Sequence, residues 1–177
     1  AFIRSVYASG NAVGWRAVSW GACALGMLSK EVMVSAPLLV LLYDGTFVTD
    51  SVAAAWRQRR NFYLGLALTW IPLVLVMAAS RGRGGTVGFG HGVTWWEYAL
   101  TQCHAVALYV RLSLWPHPLV LDYGMAVVKS AASVWPQALL LLALGLGTLV
   151  ALGRRSPWGF LGAWFFVILA PSSSVVP

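Results

Sequence analysis

Long apolar stretches dominate the pattern along the chain, at Ala12–Ser29, Val32–Val48, Phe62–Ala79, Tyr98–Trp115, Gln137–Leu152 and Trp158–Ala170, with polar residues collected between them. A bilayer core about 30 Å thick asks for about 20 helical residues. The stretches are slightly short for that span and must borrow flanking residues, the last one most of all. They predict an all-α fold of five to six transmembrane or re-entrant helices. Between the third and fourth lies the one low-complexity segment, RGRGGTVGFGHG at residues 81–92.

Composition places these helices in a membrane. Among 177 residues, 59% are apolar and 10% charged, against about 25% charged in a soluble domain. Mean hydropathy is +0.75. With no initiator methionine, no cleavable leader and an end at PSSSVVP, residues 1–177 read as one multi-span membrane domain cut from a longer protein. The net charge of +7 does not indicate a nucleic-acid partner, because the twelve Lys and Arg residues stand in ones to threes at the ends of apolar runs. Cys23 and Cys103 lack metal or disulfide spacing and are expected to be small buried residues.

The arginine clusters constrain topology. WRQRRN, with Arg57, Arg59 and Arg60, and GRRSP, with Arg154 and Arg155, are both expected on the cytoplasmic side. An even number of crossings must then separate them, yet three apolar runs intervene. Tyr98–Trp115 is the run expected to depart from a simple crossing. On a helix, Glu97, Thr101, His104 and Arg111 form one polar seam, which must face protein, water or the interface plane. On this reading Ser29-Lys30-Glu31, the glycine-rich segment, WPHPLVLDY and PSSSVVP all collect at the outer face.

Candidate chemistry follows from that gathering. Lys30 is a compact cation suited to a phosphate, and Glu31, about 100° away on a continuous helix, is free to address another partner. Asp44 is expected to be an exposed helix-end carboxylate at the cytoplasmic interface. Pro37 marks a helix start or a kink. The two prolines around His117 predict an extended turn, followed by Asp122 and Tyr123 as a carboxylate and a phenol for an acceptor. Asp122 is expected to position a substrate rather than act as a base. The glycine-rich segment is expected to be a flexible loop, with a mobile lid in which Arg81 and Arg83 reach lipid phosphates as the sharper alternative. His91, His104 and His117 show no ligand spacing, so no metal site and no cofactor are expected. Tryptophans at run ends, among them Trp95, Trp96, Trp115 and Trp158, suit an interfacial belt.

The ordered segments SKEVMVSAPLLVLLYDGTF, WWEYALTQCHAVALYVRLSLWPHPLVLDY and RRSPWGFLGAWFFVILAPSSSVVP resemble the membrane region of proteins related to the transmembrane and tetratricopeptide-repeat O-mannosyltransferases, over about Ser29 to Pro177. This resemblance implies a GT-C-like glycosyltransferase. Such an enzyme moves a sugar from a polyprenyl or dolichyl phosphate carrier, its donor substrate, to an acceptor outside the cytoplasm, with a protein as the implied acceptor. It also implies that the catalytic carboxylate precedes this fragment and that tetratricopeptide repeats follow it, so the fragment alone is expected to be inactive. The matching positions are Lys30, Glu31 and Arg111 for the lipid phosphate, and Tyr98, Gln102, His117, Asp122 and Tyr123 on the acceptor side. The implied location is a bacterial inner membrane with a periplasmic active face, or the endoplasmic reticulum. A transporter or lipid flippase using the Glu97, His104 and Arg111 seam, and a non-catalytic membrane scaffold, are the competing readings.

Overall fold

The computed structural model describes residues 1–7, 10–80, 94–120, 123–124 and 126–171, and these are helical or extended with no strand among them. The helices are α1 (Phe2–Tyr7), α2 (Ala12–Ser29), α3 (Ala36–Tyr43), α4 (Val52–Leu68), α5 (Trp70–Ser80), α6 (Trp95–Leu114), α7 (Trp135–Gly153) and α8 (Pro157–Leu169). Polar residues start them where orphan N–H groups need acceptors. Asn11 Oδ1 accepts from Gly14 N at 2.9 Å, Ser51 Oγ from Ala54 N at 3.1 Å, and Ser156 Oγ from Trp158 N at 3.3 Å. Pro37 stands in the first turn of α3, so it opens that helix and does not kink it.

Two expected runs are divided. Val32–Val48 becomes a 3₁₀ turn (Glu31–Ser35), α3 and a wide π turn (Asp44–Val48). The apolar run Phe62–Ala79 is broken at Thr69, whose hydroxyl donates to Leu66 O at 2.6 Å and closes α4. Thr69 also meets Cys23 Sγ at 3.3 Å, so Cys23 is buried as a small residue, whereas Cys103 is half-buried.

Burial concentrates where α1 to α5 meet. Phe2, Cys23, Met27, Phe62, Tyr63, Leu66 and Leu73 share one core. Two indole N–H groups stitch it, Trp20 to Phe62 O at 3.0 Å and Trp70 to Val34 O at 3.1 Å, as buried tryptophans require. α8 lies against α3, with Phe160 edge-on to Tyr43 and Phe47. α7 buries no residue at all and presents leucines all round. It is long and apolar enough to cross a membrane.

Two relations set the ends of the bundle. Gly45, Thr46, Ser51 and Val52 enclose a cavity with Leu152, Gly153 and Arg155, so the start of α4, which carries Arg57, Arg59 and Arg60, adjoins the Arg154–Arg155 turn. The two basic clusters share one end of the fold. Secondly, α6 and α7 run in the same direction. Thr101, early in α6, accepts a hydrogen bond from Val128 N at 2.9 Å just ahead of α7, while Val110 and Ser113, late in α6, line a cavity with Leu144 and Thr148 of α7. The described residues 115–120 and 126–130 therefore form a non-helical strap that returns alongside α6. The expected departure from a simple crossing is not found in α6 itself, which is one unbroken twenty-residue helix; the chain reverses direction through the non-helical strap instead.

α7 and α8 approach closely through Gly159, where an added Cβ would press on the backbone of Ala151 and Leu152. Small residues permit such contact between apolar helices. Gly159→Val is expected to lose about 1–3 kcal/mol through overpacking, while Gly147→Ala, with open space beside it, should cost nothing. Thermal unfolding of both variants in detergent reads the difference, and equal melting temperatures would disprove the close contact.

Candidate functional site

Lys30 ends α2 with extended backbone (φ −155°, ψ 127°), its N–H bonded to Gly26 O. The helix is thus broken at Lys30, and the expected continuous-helix offset between Lys30 and Glu31 does not apply. Lys30 is exposed, and its ammonium makes no ion pair among the described residues. The Glu31 side chain and Asp122 lie outside the described residues, as do Arg81, Arg83, His91 and the PSSSVVP serines.

Directly after Lys30, Val32 and Met33 open an apolar cleft of about 480 Å³. Its walls come from Phe2 and Ile3 of α1, Ala36, Leu39 and Val40 of α3, and Trp164 and Ile168 of α8. It runs from the Lys30 end to Tyr43, a path about two-thirds of a bilayer core by helical rise. Lys30 does not itself line the cleft but stands two residues before its lining begins at Val32, and a cation near such an apolar cleft suits an amphiphile with an anionic head and a hydrocarbon tail.

The remaining candidates stand on α6 and the strap. Tyr98 and Gln102 are half-buried on α6, and His104 and Arg111 are exposed on it. The polar seam is resolved largely by the helix itself and the strap. Thr94 and Glu97 form a reciprocal capping box, with Glu97 N donating to Thr94 Oγ1 at 3.2 Å and Thr94 N to Glu97 Oε2 at 3.0 Å. Thr101 donates to Glu97 O at 2.8 Å. Between the two prolines His117 is exposed and the chain is non-helical, turned by the bond from His117 N to Trp115 O at 2.8 Å, with a cis bond before Pro118. The Tyr123 hydroxyl donates to Pro118 O at 2.9 Å, which folds the strap on itself. Arg111, on a helix that packs on α7, does not line the cleft at Lys30. Trp95, Trp96, Trp115 and Trp158 are all exposed at helix ends.

The largest correction concerns Asp44, which is fully buried instead of exposed. Arg59 Nη1 donates to both of its carboxylate oxygens at 3.0 and 2.9 Å, and the Tyr63 hydroxyl donates to Oδ2. Burial of an unpaired carboxylate is prohibitive, so the two donors are what let Asp44 stay inside. The backbone bends to deliver them. Arg59 leaves helical geometry (φ −129°, ψ 29°), and the wide turn at Asp44–Val48 offers Asp44 O to Thr49 N at 2.8 Å and to its hydroxyl at 3.0 Å. A carboxylate within an apolar run, in a chain with five acidic residues, was the available signal; its partners, fifteen and nineteen residues away, were not marked by spacing.

Comparisons with protein-family models, with curated proteins and with solved structures return no match to this chain.

Two outcomes follow. Asp44→Asn should destabilise the fold by about 3–5 kcal/mol by leaving Arg59 uncompensated, and Tyr63→Phe by about 1–2 kcal/mol; denaturant titration in detergent that finds either variant unchanged would contradict the clamp. Glu97, ahead of the apolar run of α6, is held below the usual glutamate value first by the backbone N–H of Thr94, then by its hydroxyl, with a smaller contribution from the charge of Lys129. A lowered folded-state value means that the cap stabilises α6 above the ordinary glutamate range and loses that contribution as pH falls through the lowered value. Carbon-detected titration of Glu97 should show a midpoint that rises in Thr94→Ala; a midpoint insensitive to that change would refute the assignment.

Proposed function

We propose that this chain is the lipid-facing part of a polytopic membrane glycosyltransferase, GT-C-like and similar to protein O-mannosyltransferases, that takes a sugar from a polyprenyl or dolichyl phosphate carrier on the extracytoplasmic side. The observation that carries the reading is the apolar cleft beginning beside Lys30. Displacement of a phosphate from an anomeric carbon needs a cation at the leaving group and a donor site that a lipid tail enters from the bilayer. Lys30 answers the first requirement, and the cleft walls answer the second.

In this arrangement the helices α2, α4 with α5, α6, α7 and α8 lie in the membrane, with α3 and its flanking turns forming the cleft floor. Lys30 and Glu31 serve the donor phosphate. Tyr98 and Gln102, in the first half of α6, serve the acceptor side; Arg111, and His117 and Tyr123 after it, stand toward the basic end with Leu144 and Thr148, so the expected gathering of the His117 turn with Lys30 at one face does not hold. The acceptor is a protein segment reaching the start of α6 from outside.

A photoactivatable polyprenyl phosphate in proteoliposomes tests the donor site. Adducts are expected on cleft residues such as Met33 and Leu39, and Leu39→Trp, which fills the cleft, should abolish them. Lys30→Ala should weaken labelling by about tenfold, the worth of one charge-assisted phosphate contact, with membrane insertion intact. Labelling spread evenly over the outward leucines of α7, or unaffected by Leu39→Trp, would remove the cleft from donor binding; labelling without sugar transfer by the full-length enzyme would remove the transferase activity.

A further inference from the structure

At the opposite end from Lys30, the fold assembles a second feature that the proposed reaction does not use. The cavity between the Asp44–Val48 turn and the end of α7 encloses about 300 Å³. Its polar lining is Thr46, Ser51 and Arg155. The Thr46 hydroxyl and the Arg155 guanidinium make no hydrogen bond among the described residues. Arg155, itself exposed, lines the cavity and holds a left-handed backbone at φ 54°, a conformation that costs a residue with a Cβ. Arg57, Arg60 and Arg154, toward the same end of the fold, are exposed and have no carboxylate partner among the described residues. Asp44, the nearest buried acid, is already satisfied by Arg59, and the exposed Asp50 does not line the cavity.

We infer that this cavity binds the phosphate of an anionic phospholipid headgroup from the leaflet at the basic end of the fold. The shared chemistry is a phosphate group: Arg155 supplies the charge-assisted donors, and the Thr46 and Ser51 hydroxyls supply neutral ones. A lipid is favoured over a soluble anion because the apolar members of the cavity, Leu42, Val52 and Leu152, continue into the outward leucines of α7, along which acyl chains can lie. The unpaired arginines around the cavity add the attraction that basic segments feel toward an anionic leaflet. This site is independent of the sugar-transfer reading.

The chain is reconstituted in phosphatidylcholine nanodiscs containing a minor fraction of phosphatidylglycerol, and lipid retained after release is counted by native mass spectrometry. Phosphatidylglycerol should be retained in preference to phosphatidylcholine. Arg155→Gly relieves the left-handed strain while deleting the cation, so the fold is kept, and it should lower that retention about fivefold, the worth of one arginine near an anionic headgroup. Thr46→Val, which changes no charge, should lower it as well. Equal retention by the wild type and both variants, or equal retention of the two lipids, overturns the site. Inorganic phosphate added to discs of phosphatidylcholine alone should leave the melting temperature unchanged; a rise that Arg155→Gly abolishes transfers the cavity to a soluble phosphate and overturns the lipid source.

Discussion

A carboxylate sealed inside an apolar bundle dictates much of what surrounds it. Asp44 is fully buried, and its two donors come from α4. Removing it from water is tolerable only while both donors hold station. That requirement accounts for the bend at Arg59, for the wide turn at Asp44–Val48 and for the register of α4 against α3. From this register Phe62 reaches Trp20 and Phe2, and Tyr63 stacks on Trp56. The aromatic core of α1 to α4 is thus built outward from one ion pair.

The same pair divides the arginine cluster by role. Arg59 turns inward and is neutralised, whereas Arg57 and Arg60 remain exposed. Beside them comes Arg155, brought by the tight α7–α8 connection. The far end of the bundle has the opposite character, an apolar cleft whose lining begins just after Lys30. One end therefore presents a small polar cavity with Arg155 in its lining, and the other a long greasy cleft, a division of labour between anchoring and substrate handling under the proposed function.

Helix positions were readable because apolar length is a strong local signal. The run Ala12–Ser29 coincides with α2, and Tyr98–Trp115 falls within three residues of α6 at its start and one at its end. The break at Thr69 was hidden, since a threonine inside an apolar run looks like any other until its hydroxyl is seen on Leu66 O and Cys23 Sγ. Charge counting along the arginines pointed to Tyr98–Trp115 as the segment that would not simply cross, whereas α6 is an unbroken helix parallel to α7 and the strap between them makes the return. Asp44 was misjudged because side-chain pairing across distant runs is a tertiary property. Lys30 was legible as an isolated cation, but its cleft was not, because the walls come from α1, α3 and α8, which are far apart in sequence.

The strap has a cost that a helix would not. Its described residues 115–120 and 126–130 are non-helical, so amides that a helix would pair within itself look elsewhere, as Val128 N does to Thr101. Hydrocarbon offers no such partner. Under the proposed function, moisture must therefore follow this stretch beside α6, and the acyl layer there is locally thinned and wetted.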